Sequence, residues 1–142
     1  MQLSHINIYT DGGSRKNPGE AASGVYITDK EGNPLAGFGK RLGVQTNNYA
    51  EYMAVILALE WVIAHRDTFS ETLTIAFCMD SLLVCSQVKG LWKVKSEAIG
   101  NLLGILREKQ LQANAVVTYT HIRREKNKEA DRYVNLALDN KL

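Results

Sequence analysis

The spacing of apolar residues indicates how the chain begins. Ile6 and Ile8 alternate with polar neighbours, and two further β-like runs, at 21–28 and 35–41, are separated by the sequence DKEGNP. Alternation with a period of two is typical of strands with one buried face, and Gly, Asn and Pro suit a hairpin turn. The chain therefore begins with three strands, at 5–10, 21–28 and 35–41, joined as an antiparallel meander.

The rest of the chain is predicted to alternate between helices and strands. Residues 48–65 are apolar almost all round, which indicates a largely buried helix. The later elements are a strand at 73–79, a helix from 80–81 to about 88, a helix at 96–110, a strand at 115–121 and a helix at 127–139. The order βββαβααβα, with a helix crossing from the meander to the fourth strand, predicts a mixed α/β fold with parallel pairing there.

Composition favours a globular domain and leaves the partner open. The 142 residues are 45% hydrophobic and 23% charged and contain no linker or repeat, so one domain over residues 1–142 is expected. A net charge of +2 is too small to indicate nucleic-acid binding by itself. Cys78 and Cys85 lie in apolar stretches without metal-ligand spacing, which favours reduced core thiols. With no leader or membrane-spanning run, we expect a cytoplasmic, monomeric protein without a membrane partner.

Four acidic residues could carry chemistry, although each has a structural explanation of its own. Asp11 precedes Gly-Gly and could initiate a turn. Glu51 follows Asn48 by three residues and could complete a capping box, whereas Asp80 could cap the next helix. Asp131 lies in the middle of a predicted helix, at the border of its apolar face, and could be a solvated charge.

The four positions gain meaning when they are combined. Asp11 and Asp80 follow strands that are expected to be parallel, and ligands in open α/β sheets gather beyond the carboxyl ends of such strands. Glu51 begins the helix that packs on the sheet. Clustered carboxylates would repel and raise each other's pKa unless cations neutralised them. Convergence would imply Mg²⁺, and two ions about 4 Å apart could activate water for phosphodiester cleavage.

Four segments resemble the ribonuclease H type 1 family, in family order: IYTDGGSRKNPG, TNNYAEYMAVILAL, MDS and NKEADRYVN. The similarity covers about residues 6–138, and each segment carries its acidic residue at the family's position. The resemblance implies a ribonuclease H-like, five-stranded mixed sheet with helices on both faces. It also implies two Mg²⁺ ions, with Mn²⁺ able to substitute, held by the catalytic carboxylates Asp11, Glu51, Asp80 and Asp131.

The resemblance also implies contacts to nucleic acid. Asn17, and the TNN segment of Thr46, Asn47 and Asn48, fall where family members contact the nucleic-acid backbone and minor groove. Their amide and hydroxyl groups suit phosphate oxygens and the ribose 2′-OH, which distinguishes RNA from DNA. The structural alternatives are loop turning at Asn17 and helix capping at Asn48.

The connector KGLWKVK, residues 89–95, could hold a DNA backbone through the charges of Lys89, Lys93 and Lys95 and stacking on Trp92. Alternatively it is a solvated connector with Trp92 tucked onto the core. It is too short for the extra helix and basic handle of some family members, so the chain resembles the compact branch. We therefore expect weaker hybrid affinity, or affinity supplied by a partner.

His121 has the family's spacing to Asp131, and its imidazole could assist proton transfer to the leaving group. It directly follows a strand instead of lying in a glycine-rich loop, so a structural strand-end histidine is the alternative. Arg123 and Arg124 could contact phosphates or be ordinary surface charges.

The function implied by the resemblance is cleavage of the RNA strand of RNA–DNA hybrids, leaving 5′-phosphate and 3′-hydroxyl ends. Two alternatives stay open: a non-catalytic nucleic-acid-binding module of the same fold, and a DNA-cutting nuclease of the integrase or transposase type. Four clustered negative charges argue against a pure binding module, because they would weaken binding to a polyanion. The TNN segment favours the hybrid over DNA, although a shared fold does not settle the substrate.

Overall fold

The computed structural model describes residues 2–142, in which five strands and four helices follow the order predicted from the hydrophobic pattern. The strands are β1 Leu3–Ser14, β2 Gly19–Asp29, β3 Pro34–Gln45, β4 Phe69–Met79 and β5 Val116–His121. The helices are α1 Asn47–Ala64, α2 Leu82–Val88, α3 Glu97–Ala113 and α4 Lys128–Leu138, with 3₁₀ turns at Arg66–Thr68 and Arg124–Lys126. The predicted order βββαβααβα is confirmed.

The strands form one mixed sheet in the order β3-β2-β1-β4-β5. β1 pairs antiparallel with β2 and parallel with β4, and β5 pairs parallel with β4. The first four strands are longer than the alternation predicts; β3, for example, continues to residue 45 and β4 begins at residue 69. The strand order places β1 at the centre of the sheet, between the antiparallel strands β2 and β3 and the parallel strands β4 and β5.

Different helices cover the two faces of the sheet. On one face, Ile6 and Ile8 of β1 are fully buried in a large core that includes Leu59 of α1. On the other face, Ala22 of β2 packs against Val134 of α4. Successive strand residues point to opposite faces, so this division follows directly from the alternation along β1 and β2. The prediction of a mixed sheet with helices on both faces is confirmed.

The first strand continues where the sequence predicts a loop. Strand character was expected over 5–10, but β1 runs through the DGGS segment to Ser14 and keeps its antiparallel pairing with β2. A side chain at Gly12 would overlap the backbone of Ala50, so the glycine allows β1 and α1 to approach closely. The interpretation of Asp11 as a turn residue is therefore wrong, because Asp11 lies within a strand.

Helix starts also differ from the predicted positions. The hydroxyl of Thr46 accepts a backbone hydrogen bond from the first turn of α1, so Thr46 is the N-cap and not Asn48. Ser81 caps α2 in the same way, which replaces the predicted cap at Asp80. Asp131 lies in the first turn of α4 and not in the middle of the helix. Ser, Thr, Asn and Asp are all good capping residues, so residue type alone does not predict which of several neighbouring residues is the N-cap.

Candidate functional site

Two of the four acidic residues follow the ends of neighbouring central strands. The parallel pairing of β1 with β4 ends at Thr10 and Met79. Asp11 and Asp80 are the next residues along the chain, so the register places both at one edge of the sheet. This edge is the carboxyl end of the parallel strands, where ligands gather in open α/β sheets.

Helix α1 brings the third acidic residue to this edge. Gly12 lacks a side chain, and one there would overlap the backbone of Ala50 and Glu51. The hydroxyl of Ser23 on β2 donates a hydrogen bond of 2.7 Å to the carbonyl oxygen of Ala50. These contacts hold the first turns of α1 against β1 and β2, and they place Glu51 beside Asp11.

Asp11, Glu51 and Asp80 each have one carboxylate oxygen within 4.8 Å of the other two. Asp11 is 8% exposed and Glu51 is 7% exposed, whereas Asp80 is half-buried. All three line a cavity of about 420 Å³, and Asp131 on α4 lines the same cavity. Asp131 is exposed and stands outside the close group. The structure thus brings all four residues to one cavity, with three of them in direct proximity.

Burial and mutual repulsion make this cluster difficult to ionise. Burial, followed by the charges of Asp80 and Asp131, raises the pKa of Asp11 to about 7. Burial, and then the charge of Asp11, raises the pKa of Glu51 well above its usual range. The backbone N–H of Gly12 donates to Asp11 Oδ1 at 2.9 Å and opposes the shift only in part. Without a cation, the cluster retains protons near neutral pH.

The donor set of the cluster fits a divalent cation. Within residues 2–142, Glu51 Oε2 is buried and has no hydrogen-bond partner. An unpaired buried carboxylate oxygen destabilises the fold, and a dication would remove both this penalty and the repulsion between carboxylates. Every donor is an oxygen atom, the type that Mg²⁺ and Mn²⁺ prefer. Asp11, Glu51 and Asp80 could therefore hold such an ion, with Asp131 available at the cavity wall.

A hydrogen-bonded loop borders the acidic cavity on the side of the TNN segment. Asn47 Oδ1 accepts a hydrogen bond of 2.8 Å from the backbone N–H of Ser14. Asn17 Oδ1 in turn accepts one of 2.9 Å from the backbone N–H of Asn47. Asn47 and Asn48 line the cavity, whereas Thr46 caps α1 and Asn17 supports the loop from outside. Two residues of the predicted TNN segment therefore reach the cavity, and Asn17 holds the segment by a hydrogen bond without lining the cavity.

The basic connector forms a second, adjoining surface. Lys93 and Lys95 line a smaller cavity of about 290 Å³ together with Asn48, which also lines the acidic cavity. Trp92 is 48% exposed and stands outside the buried core cluster, so it is not tucked onto the core as the structural alternative requires. Lys89, at the C-terminus of α2, is exposed and lines neither of these two cavities.

His121 lies close to the acidic cluster, but it contacts a backbone oxygen there and not a carboxylate group. It is the last residue of β5, and its Nε2 lies 3.2 Å from the backbone oxygen of Asp80. It lines a separate cavity with Arg123, whereas Arg124 lines the acidic cavity itself. The ring is exposed. It is therefore near the site without touching a carboxylate group.

Three polar residues belong to this region although the sequence reasoning did not single them out: Arg15, Asn127 and Asn135. Arg15 lines the acidic cavity and forms a 2.6 Å ion pair with Asp139. Asn135 donates a 3.1 Å hydrogen bond to the backbone oxygen of Asp131, and its spacing of four residues is a helix signal that could have identified it. Asn127 contacts Asp80 through the fold alone, and no local pattern predicts that contact.

Two further features concern membrane-spanning helices and the cysteines. Among residues 2–142, no helix combines the length and the apolar character needed to cross a membrane. Cys78 is half-buried, Cys85 is buried, and both are free thiols.

The chain is similar to a known family model and to solved structures with the same fold. Residues 9–137 match the family model described as reverse transcriptase-like. LC11-RNase H1, isolated from compost by a metagenomic approach, is 40% identical, with a TM-score of 0.89 over 97% of this chain and 98% of that chain. The crystal structure of LC11-RNase H1 in complex with RNA/DNA hybrid gives a TM-score of 0.90 at 39% identity, over 95% and 97% of the two chains.

Curated relatives extend beyond the length of this chain. Ribonuclease HI of Halobacterium salinarum is 36% identical over 140 residues, which are 94% of this chain and 64% of that protein. A bifunctional protein of Mycobacterium tuberculosis is also 36% identical, over 137 residues, and the match covers 94% of this chain and 35% of that protein. The chain thus spans a little under two thirds of the first relative and about one third of the second.

Proposed function

The chain belongs to the ribonuclease H type 1 family, and from this membership we propose that it is a metal-dependent endoribonuclease acting on RNA–DNA hybrids. It hydrolyses phosphodiester bonds of the RNA strand and leaves 5′-phosphate and 3′-hydroxyl ends. The observation that carries the proposal is the meeting of Asp11, Glu51 and Asp80 within 4.8 Å, in a cavity that Asp131 also lines.

The four carboxylates are proposed to hold two Mg²⁺ ions, for which Mn²⁺ can substitute. When bound, such ions activate the attacking water and stabilise the charge that develops on the leaving oxygen. The contribution of the chain is to fix the donors before the substrate arrives. Asp11 is held by β1, Asp80 follows β4, and Glu51 is held by the close packing of α1 on Gly12. Donors fixed in this way need no reorganisation during the reaction.

Recognition of the RNA strand is assigned to the loop that borders the cavity. Asn47 and Asn48 line the cavity and offer side-chain amide groups to phosphate oxygens and the ribose 2′-OH. Thr46 and Asn17 contribute by holding this segment, through the N-cap and through the 2.9 Å hydrogen bond to Asn47. Because a 2′-OH is present only in RNA, this loop favours the hybrid over duplex DNA.

The DNA strand is assigned to the basic connector. Lys93 and Lys95 line the adjoining cavity, and Trp92 presents an exposed ring beside them. Lysines that neutralise phosphates and an aromatic ring on which a base or sugar can pack are a common combination in single-strand binding. Lys89 adds positive charge at the end of α2. This contribution is modest, because the connector is too short for the extra helix and basic handle of some family members.

His121 is proposed to assist proton transfer to the leaving group. Its Nε2 lies 3.2 Å from the backbone oxygen of Asp80, so the ring must move away from this contact to reach a bound substrate. An exposed side chain at the end of a strand has room for such a movement. Its effect on the rate is therefore smaller than that of any of the buried carboxylates.

Cleavage of matched substrates tests the proposal. An RNA–DNA hybrid, an RNA duplex and a DNA duplex of the same sequence, each labelled at one end, are incubated with the protein in Mg²⁺ or Mn²⁺. We expect cleavage of the RNA strand in the hybrid, loss of cleavage with Asp11→Asn or Glu51→Gln, and no change with Asp67→Asn, an exposed carboxylate outside the cavity. Cleavage of DNA alone would favour the integrase-like alternative, and binding without cleavage would favour the binding module.

The single-domain organisation over residues 1–142, the monomeric state and the cytoplasmic location stay predictions. Gel filtration with light scattering checks the oligomeric state, with a mass near 15.8 kDa expected for a monomer.

A further inference from the structure

Asn127 occupies an unusual position behind the acidic cluster. It is the residue before α4 and is only 1% exposed, among the most buried polar side chains of the described chain. Its Nδ2 donates a 2.9 Å hydrogen bond to the backbone oxygen of Thr10 and a 3.2 Å hydrogen bond to Asp80 Oδ2. One amide group therefore joins the end of β1 to the carboxylate that follows β4.

The chemistry of the partners fixes which way the amide points. Both the Thr10 carbonyl and the Asp80 carboxylate are acceptors, so the NH₂ group must face them and Oδ1 must face away. In the part of the chain that the structure describes, this buried Oδ1 has no hydrogen-bond partner. A buried acceptor without a partner is unfavourable. The two hydrogen bonds that the amide donates therefore stabilise the fold by more than the unpaired oxygen destabilises it.

Asn127 also contacts the backbone beside two further acidic residues, Asp11 and Asp131. Thr10 directly precedes Asp11, so the hydrogen bond to its carbonyl holds the backbone next to that carboxylate. The carbonyl oxygen of Asn127 accepts a 3.2 Å hydrogen bond from the backbone N–H of Asp131. The residue thus contacts, directly or through an adjacent peptide group, three of the four acidic residues that line the cavity.

We propose that Asn127 is a positioning residue that orients the carboxylate of Asp80 for metal binding. By occupying Oδ2, the amide restricts the rotation of the carboxylate and would leave Oδ1 free to bind a metal ion. The catalytic consequence rests on the proposed function, whereas the effect on metal affinity does not. Partners that orient metal ligands typically contribute 10–100-fold to metal affinity or activity. We expect a loss of that size when Asn127 is removed.

Two variants and one control test this role. Asn127→Ala removes the amide, and Asn127→Leu removes it while keeping a side chain of similar volume, which limits the effect of an empty cavity. Asn7→Ala is the matched control, because Asn7 and Asn127 line the same cavity of about 440 Å³, but Asn7 bonds to the backbone of Asp29 and not to an acidic residue of the cluster. For each protein, calorimetry measures Mn²⁺ affinity without nucleic acid, kinetics give kcat and KM on the hybrid, and melting curves give stability.

For a folded variant, and at least for Asn127→Leu, we expect Mn²⁺ affinity to be 10–100-fold weaker and kcat at a fixed metal concentration to fall by a similar factor. The KM for the hybrid and the binding of the hybrid in EDTA should not change. Asn7→Ala should match the wild type in all of these. Mn²⁺ affinity within twofold of the wild type in a folded variant, or a loss of stability alone, would overturn the role of Asn127. If the wild type fails to cut the hybrid, the proposed function fails, and the Mn²⁺ titrations still decide the role of Asn127.

Discussion

Replacing Asp11 by asparagine should stabilise the metal-free protein at neutral and alkaline pH. In the folded chain the pKa of Asp11 is raised to about 7 from its ordinary value of 3.8, first by burial and then by the charges of Asp80 and Asp131. Between these two values the folded state holds a proton that the unfolded chain has lost. Stability therefore falls as the pH rises through this window and levels off above it. Asparagine does not titrate, so the variant escapes this loss.

The size of the effect follows from the shift. A difference of about 3 pH units at 1.36 kcal/mol per unit corresponds to about 4 kcal/mol at pH 8, falling to nearly zero at pH 4. For a chain of 142 residues, about 4 kcal/mol is roughly 13 °C in Tm. The substitution preserves Oδ1, which accepts the 2.9 Å hydrogen bond from the backbone of Gly12, so little packing is lost.

The assay compares melting curves of the wild type and Asp11→Asn in EDTA from pH 4 to pH 8.5. Asp29→Asn is the control with the opposite sign, because hydrogen bonds from Asn33 and neighbouring backbone N–H groups lower the pKa of Asp29. Adding Mg²⁺ should raise the Tm of the wild type more than that of Asp11→Asn, since only the wild type has the full donor set. A Tm difference between wild type and Asp11→Asn that does not change with pH in EDTA would contradict the raised pKa of Asp11.

Other predictions concern the packing and the surface. Gly12→Ala should lower both stability and activity, because its Cβ would overlap the backbone of α1, whereas Gly13→Ala, whose Cβ meets its nearest neighbour at 3.7 Å, should be tolerated in a melting and cleavage comparison. Arg66→Met should reduce the free energy of unfolding by roughly 2–3 kcal/mol in urea titrations, since its guanidinium donates to several backbone carbonyls between β4 and the end of α3. Trp92→Ala should raise KM for the hybrid several-fold and leave Tm almost unchanged, because the ring is 48% exposed. His121→Ala should lower kcat less than Glu51→Gln does, and an equal loss would contradict its secondary role.

Much of the fold could be predicted because it follows from local patterns. The alternation around Ile6 and Ile8 and the apolar run from residue 48 define which faces are buried, and the order of elements follows from those patterns. The edge at which Asp11 and Asp80 meet could also be predicted, since parallel neighbours end on the same side of a sheet. These inferences need only the chain direction and the sequence of elements.

The features that were not predicted depend on contacts between distant parts of the chain. β1 continues through a glycine pair because α1 packs against it, and glycine composition alone indicates a loop. Thr46 caps α1 although Asn48 is an equally good capping type. Asn127 contacts Thr10 across 117 residues, so its role cannot be inferred from its neighbours in the sequence.

The most direct test of the account is to locate the metal. In crystals of the wild-type protein grown or soaked in Mn²⁺, anomalous scattering marks the ions without any assumption about their ligands. We expect Mn²⁺ bound to carboxylate oxygens of Asp11, Glu51 and Asp80, and no Mn²⁺ at that position in crystals of Asp11→Asn. Well-ordered crystals with Mn²⁺ bound only elsewhere, and with the three carboxylates still in contact, would contradict it.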